Sequence, residues 1–141
     1  MRFDFATPLY ACVYLPYGYS EEEHYNILYV MHGGGGSQAS LFGSTNGNDF
    51  KNAVEHLIER REIKPMIIVT PTFYTERHGS ISVSGSWDAV REFLDELVNY
   101  LMPAVESTYS TYAETADDAG FAASREHRAF SGFSMGSVTT W

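Results

Sequence analysis

Residues 128–138 read R-A-F-S-G-F-S-M-G-S-V. Arg128 to Phe133 has the composition of a short strand, and a helix is expected from Ser137 onward. Between them, Gly132-Phe133-Ser134-Met135-Gly136 matches G-x-S-x-G, the pattern of a nucleophile elbow. A strand-to-helix turn this sharp strains the backbone of the serine. Any side chain at Gly132 or Gly136 would run into neighbouring backbone. The turn lifts the Ser134 hydroxyl clear of the sheet and aims the Met135 N–H at the place where an oxyanion would form. By itself the pentapeptide describes a tight turn equally well, so its context decides.

Upstream, the chain alternates strand and helix. Residues 9–16, L-Y-A-C-V-Y-L-P, are rich in β-formers and stop at a proline. Residues 17–26 form a polar turn, and 27–31, I-L-Y-V-M, is an unbroken apolar run, the pattern of a strand covered on both faces. Ala53, Val54, Leu57 and Ile58 make one apolar helical stripe, with Asn48 or Asp49 as the cap and Arg60 and Arg61 at the end. Pro65 opens a second buried strand, M-I-I-V-T-P. After a polar and aromatic loop at 72–86, Val90, Phe93, Leu94, Leu97, Val98 and Leu101 mark another helix, kinked or restarted at Pro103. Residues 110–127 read as loop, with Asp117 and Asp118 solvated. This alternation is that of an α/β protein with a parallel sheet, whose sites lie at the carboxyl ends of the strands.

A second unusual segment sits at such an end. His32 to Gly36, H-G-G-G-G, follows the strand ending at Met31. Glycine lets a backbone N–H approach a substrate closely, and an H-G-G-G loop supplies the second oxyanion donor in enzymes with the elbow. A phosphate loop would need G-K-[ST] after the glycines, and a dinucleotide loop would need a glycine at position 38; neither is present. His32 is expected to orient the loop rather than to take a proton. His24, His56, His78 and His127 are scattered, without metal-ligand spacing, and no metal or cofactor is expected.

The 141 residues amount to about one domain, with 44% apolar and 19% charged residues and a net charge of -9. That balance argues against nucleic acid as the main partner. No run of 18 apolar residues exists to span a membrane. Cys12 is the only cysteine, so no intrachain disulfide forms. The opening Met1-Arg2-Phe3-Asp4-Phe5 has no apolar signal region, so the expectation is either a cytoplasmic protein or a signal peptide outside this sequence. Aromatic residues reach 15%, and Phe73, Tyr74 and Trp87 flank the loop after the second buried strand, as core or as lining of an aromatic groove.

Three blocks taken together, Y-N-I-L-Y-V-M-H-G-G-G-G at 25–36, P-M-I-I-V-T-P-T-F-Y at 65–74 and residues 127–141, resemble the carbohydrate esterase family 1 branch of the α/β-hydrolases. Within it, the chain is similar to the feruloyl esterase domains attached to bacterial xylanases. Acetyl xylan esterases, S-formylglutathione hydrolases and mycolyltransferases share the fold and the loop. The resemblance implies a mostly parallel sheet flanked by helices and a serine esterase acting on feruloylated or acetylated plant cell-wall polysaccharide. It also implies a secreted or cell-surface bacterial location. Ser134 would be the nucleophile. The N–H groups of Met135 and Gly34 would form the oxyanion hole, with Gly35 as the fallback.

In α/β-hydrolases the acid and the histidine follow the serine in sequence. Only seven residues follow Ser134, none of them Asp, Glu or His. The expectation is therefore that residues 1–141 form the N-terminal portion of one esterase domain, truncated after the elbow. A half-domain that pairs with its missing C-terminal half or with a second copy, and a non-catalytic interaction module, are the alternatives.

Overall fold

Ile67, Ile68 and Val69 have no solvent exposure at all, although side chains alternate across a strand. Both faces of the sheet are therefore covered at this point. The computed structural model describes residues 2–3, 9–42, 49–73 and 83–140. Five strands, β1 (Arg2–Phe3), β2 (Leu9–Tyr14), β3 (Asn26–Met31), β4 (Met66–Pro71) and β5 (Arg128–Gly132), form one sheet in the order β1-β2-β4-β3-β5. β3 pairs in parallel with both β4 and β5, whereas β1–β2 and β2–β4 are antiparallel. The sheet is thus a mixed one over these residues. Its parallel part is the trio β4-β3-β5 that carries the glycine loop and the elbow.

On one face, Ile27, Tyr29, Met31, Ile67 and Val69 pack against a helical layer. That layer consists of α2 (Val83–Glu96), a π-helical turn (Leu97–Leu101) and α3 (Met102–Glu106), with Pro103 in the first turn of α3. Val90, Phe93, Leu97 and Leu101 are buried as the periodicity predicts, but Leu94 is 61% exposed and Val98 is exposed as well. On the other face, Val30 and Ile68 meet α1 (Asp49–Glu59) through Val54, Phe50 and Ile58. Ala53, expected in that stripe, faces solvent, and Asn48 lies outside the described residues.

Residues 110–127 are more ordered than their polarity suggests. Asp117 and Asp118 are exposed, as expected, but they open a helix rather than lie in a loop: Asp117 caps α4 (Asp118–Ala123), its carboxylate accepting the Gly120 N–H at 2.9 Å. That bond and the Thr115 hydroxyl hold the Asp117 carboxyl below its ordinary pKa. A 3₁₀ turn (Arg125–His127) then leads into β5.

Arg128 enters β5 through a buried ion pair. Its Nε and Nη2 donate to the two carboxylate oxygens of Glu106 at 2.7 and 2.6 Å, and Nη1 donates to the Phe121 carbonyl. The Tyr29 hydroxyl donates to the same carboxylate at 3.0 Å. Burial and the Glu106 charge push the Tyr29 phenol far up, so it remains a donor at any working pH. Two charges at this depth are tolerated because each is paired and hydrogen-bonded. The network fastens the start of β5 to the end of α3. Beyond β5, a groove of about 520 Å³ runs between Leu94, Val98 and Met102 on one side and Phe130 and Val138 on the other. Among the described residues no helix is long and apolar enough to cross a membrane.

Candidate active site

Ser134 stands between β5 and α5 (Met135–Val138) with φ +53° and ψ −121°. Left-handed φ is rare for a residue with a side chain, and its presence here marks local strain of the kind found at functional turns. The two flanking glycines are required by contact. A Cβ on Gly132 would overlap the Gly136 carbonyl group. One on Gly136 would lie 2.5 and 2.6 Å from the carbonyl oxygens of His32 and Met31. The elbow is thus wedged against the end of β3. Phe133 N–H donates to the Met31 carbonyl at 3.3 Å, and Gly136 N–H closes the turn onto Phe133. Ser134 is exposed.

The glycine run faces it. A Cβ on Gly33 would be 3.4 Å from the Ser134 Cβ, and one on Gly34 would be 2.9 Å from the Met135 sulfur. Gly33 to Gly36 form a turn closed by Gly36 N–H on the Gly33 carbonyl at 3.1 Å. Gly35, at the third position, has φ +76°, which suits glycine. Gly34 N–H lies outside the turn's own hydrogen bond. Met135 N–H belongs to the first turn of α5, where no helical carbonyl is available to it. Ser134, Met135 and Gly34 are therefore neighbours, with Gly35 one residue farther along the turn.

His32 is 2% exposed, and its ring is held at both nitrogens. Nδ1 lies 2.7 Å from the Gly33 carbonyl and Nε2 lies 2.8 Å from Thr72 Oγ1. Burial lowers its pKa below the ordinary histidine value, against the raising effect of the Gly33 carbonyl. Both ring nitrogens are engaged, and burial favours the neutral imidazole. Phe73 is 1% exposed and packs on the His32 ring at 4.5 Å, so it is core rather than groove lining. Tyr74 and the Trp87 side chain lie outside the described residues.

The other histidines do not reach Ser134. His127 precedes β5 and Ser134 follows it, so the two lie at opposite ends of a five-residue strand. His127 stacks on Tyr112 and bonds Asn26 Oδ1 at 2.8 Å. His24 bonds the Thr111 carbonyl, and His56 is an exposed residue of α1 near Glu59. His78 lies outside the described residues. Among the described residues no base stands beside Ser134, and no three His, Cys, Asp or Glu side chains converge as a metal site. Glu106, Tyr29 and Thr72 hold hydrogen-bonded positions in this fold without standing out in the sequence. None carries a local signal, since Thr72 gains its partner only when β3 and β4 pair, and Glu106 and Tyr29 gain theirs only when α3 packs on the sheet.

A mixed sheet with this strand order, an elbow after β5 and a glycine loop after β3 define the α/β-hydrolase fold. The Esterase family model matches residues 5–140, and the chain belongs to that family. It is 45% identical over 129 residues to endo-1,4-beta-xylanase Y of Acetivibrio thermocellus, covering 92% of this chain and 11% of that protein. An endo-1,4-beta-xylanase/feruloyl esterase of Xylanibacter ruminicola is 31% identical, over 92% of this chain and 16% of its own length. Among solved structures, a serine-to-alanine mutant of a feruloyl esterase module from Clostridium thermocellum, complexed with sinapinate, aligns with a TM-score of 0.81 at 40% identity. That alignment covers all of this chain and 47% of the other. A carbohydrate esterase family 1 ferulic acid esterase from Anaeromyces mucronatus, in complex with ferulic acid, aligns at 0.72 and 28%, over 94% of this chain and 45% of its own. The chain thus spans about half the length of these solved relatives.

Proposed function

We propose that this chain supplies the nucleophile and the oxyanion donors of a serine carboxylic-ester hydrolase that releases hydroxycinnamates, ferulate above all, from arabinoxylan. Ser134 attacks the ester carbonyl. The N–H groups of Met135 and Gly34 receive the negative charge of the tetrahedral intermediate, a contribution of roughly 3–4 kcal/mol for each such donor. Gly132 and Gly136 keep the turn tight enough to present the hydroxyl. The observation that carries this reading is the strained backbone of Ser134, φ +53°, set directly against the glycine loop.

A serine hydroxyl needs a base. In this reading residues 1–141 are the N-terminal portion of one esterase domain, and the acid and histidine come from the remainder of that domain. The coverage of 47% of the Clostridium module supports it. The aromatic acyl group is supported by the sinapinate and ferulic acid with which the two solved relatives are complexed. A polysaccharide substrate of this kind, and the likeness to bacterial xylanases, support a site of action outside the cell or on its surface.

The test compares methyl ferulate with acetylated xylan, using the protein that carries this chain and its Ser134→Ala variant. Faster turnover of the ferulate, lost in the variant, is expected. Faster turnover of the acetyl ester would move the protein to the acetyl xylan esterases.

A further inference from the structure

Thr72 follows β4, and His32 follows β3. Thr72 is 6% exposed, and its hydroxyl lies 2.8 Å from His32 Nε2. At the other side of the ring, Nδ1 lies 2.7 Å from the Gly33 carbonyl. A carbonyl only accepts, so Nδ1 carries the proton in the neutral ring. Nε2 is then the lone-pair nitrogen, and the Thr72 hydroxyl donates to it. The ring is locked in place. Phe73 packs on it at 4.5 Å, and a Cβ on Gly36 would already be 3.0 Å from Nδ1.

The Gly33 carbonyl and the Gly34 N–H belong to one planar trans peptide group and point in opposite directions. A bond that fixes the carbonyl therefore aims the N–H. We propose that Thr72 is a positioning residue that, acting through His32 and the Gly33 carbonyl, points the Gly34 N–H at the oxyanion. The relay singles out Gly34 over Gly35 as the loop donor, because Gly35 N–H belongs to the next peptide group. This rests on the esterase reading of Ser134.

The experiment measures methyl ferulate turnover in Thr72→Val and Thr72→Ser, with the concentration of reactive serine titrated by an organophosphonate. The oxyanion exists only in the transition state, so its misalignment lowers kcat and leaves KM in place. Thr72→Val is expected to lose about 10²-fold in kcat, the scale of an ångström-sized misplacement. Thr72→Ser keeps the donor and is expected to recover most of the loss. Ser134→Ala is the control. If it retains turnover, the esterase reading itself falls. If it is inactive while Thr72→Val matches wild type per titrated site, the positioning role falls and the esterase reading stands. A loss that Thr72→Ser does not recover also overturns the proposal. Should Thr72→Val not fold, the ¹⁵N spectrum of the wild-type imidazoles decides. A neutral His32 protonated at Nδ1 is expected, and protonation at Nε2 contradicts the relay.

Discussion

Gly34 and Met135 lie against each other across the end of the sheet, so closely that a Cβ on Gly34 would sit 2.9 Å from the Met135 sulfur. Gly34 is exposed and its φ is not in the left-handed region. A side chain there is therefore tolerated by the backbone but occupies the space beside the elbow. Gly34→Val is expected to lower kcat by about 10²–10³-fold, the cost of one oxyanion donor, with little change in melting temperature. Turnover and thermal unfolding of the variant check it. A matched, modest loss of both would mark the loop as a structural turn.

The elbow glycines behave differently. Gly132 and Gly136 are wedged against carbonyls, so a methyl group must displace backbone. Gly132→Ala and Gly136→Ala are each expected to cost roughly 1–3 kcal/mol, the range of overpacking, together with activity. Denaturant unfolding measures the cost; variants as stable and active as wild type would contradict the close packing.

Removing one partner of the buried Glu106–Arg128 pair leaves an uncompensated charge. Arg128→Met is expected to destabilise by about 3–5 kcal/mol. Tyr29→Phe removes only one donor to the carboxylate and is expected to cost about 1.5–3 kcal/mol. Urea unfolding of the two variants against wild type orders them.

His32 gives a pH dependence. Its folded pKa lies below the ordinary value of 6.5 because of burial. As pH falls through about 6.5, the unfolded chain takes up this proton before the folded one, so stability declines. The decline continues until the folded pKa is reached. Wild type is expected to lose more stability between about pH 7 and pH 5.5 than His32→Gln, which lacks the group. Equal losses in the two proteins would mean that His32 titrates freely.

The sequence carried most of this in two kinds of signal. β3 and β4 were legible because unbroken apolar runs such as I-L-Y-V-M suit only strands covered on both faces. The elbow was legible because Gly132 and Gly136 are demanded by backbone contact, which leaves a trace in residue type. The direction of β2 was not, since apolar patterning is blind to whether a neighbour runs parallel or antiparallel. α4 was missed because six residues give too little periodicity, although Asp117 ahead of an alanine-rich run was its cap signal. The Thr72–His32 bond joins residues at the ends of two strands, and only their pairing brings them together.

The most direct measurement is the site of covalent capture. The protein that carries this chain is reacted with a fluorophosphonate, digested and mapped by mass spectrometry, with methyl ferulate turnover followed in parallel. The expected result is one adduct per molecule on Ser134, formed as activity disappears, with Ser134→Ala unlabelled and turning over on the order of 10⁶-fold more slowly. An adduct on another residue, or a Ser134→Ala protein that keeps a substantial share of turnover, would contradict Ser134 as the nucleophile.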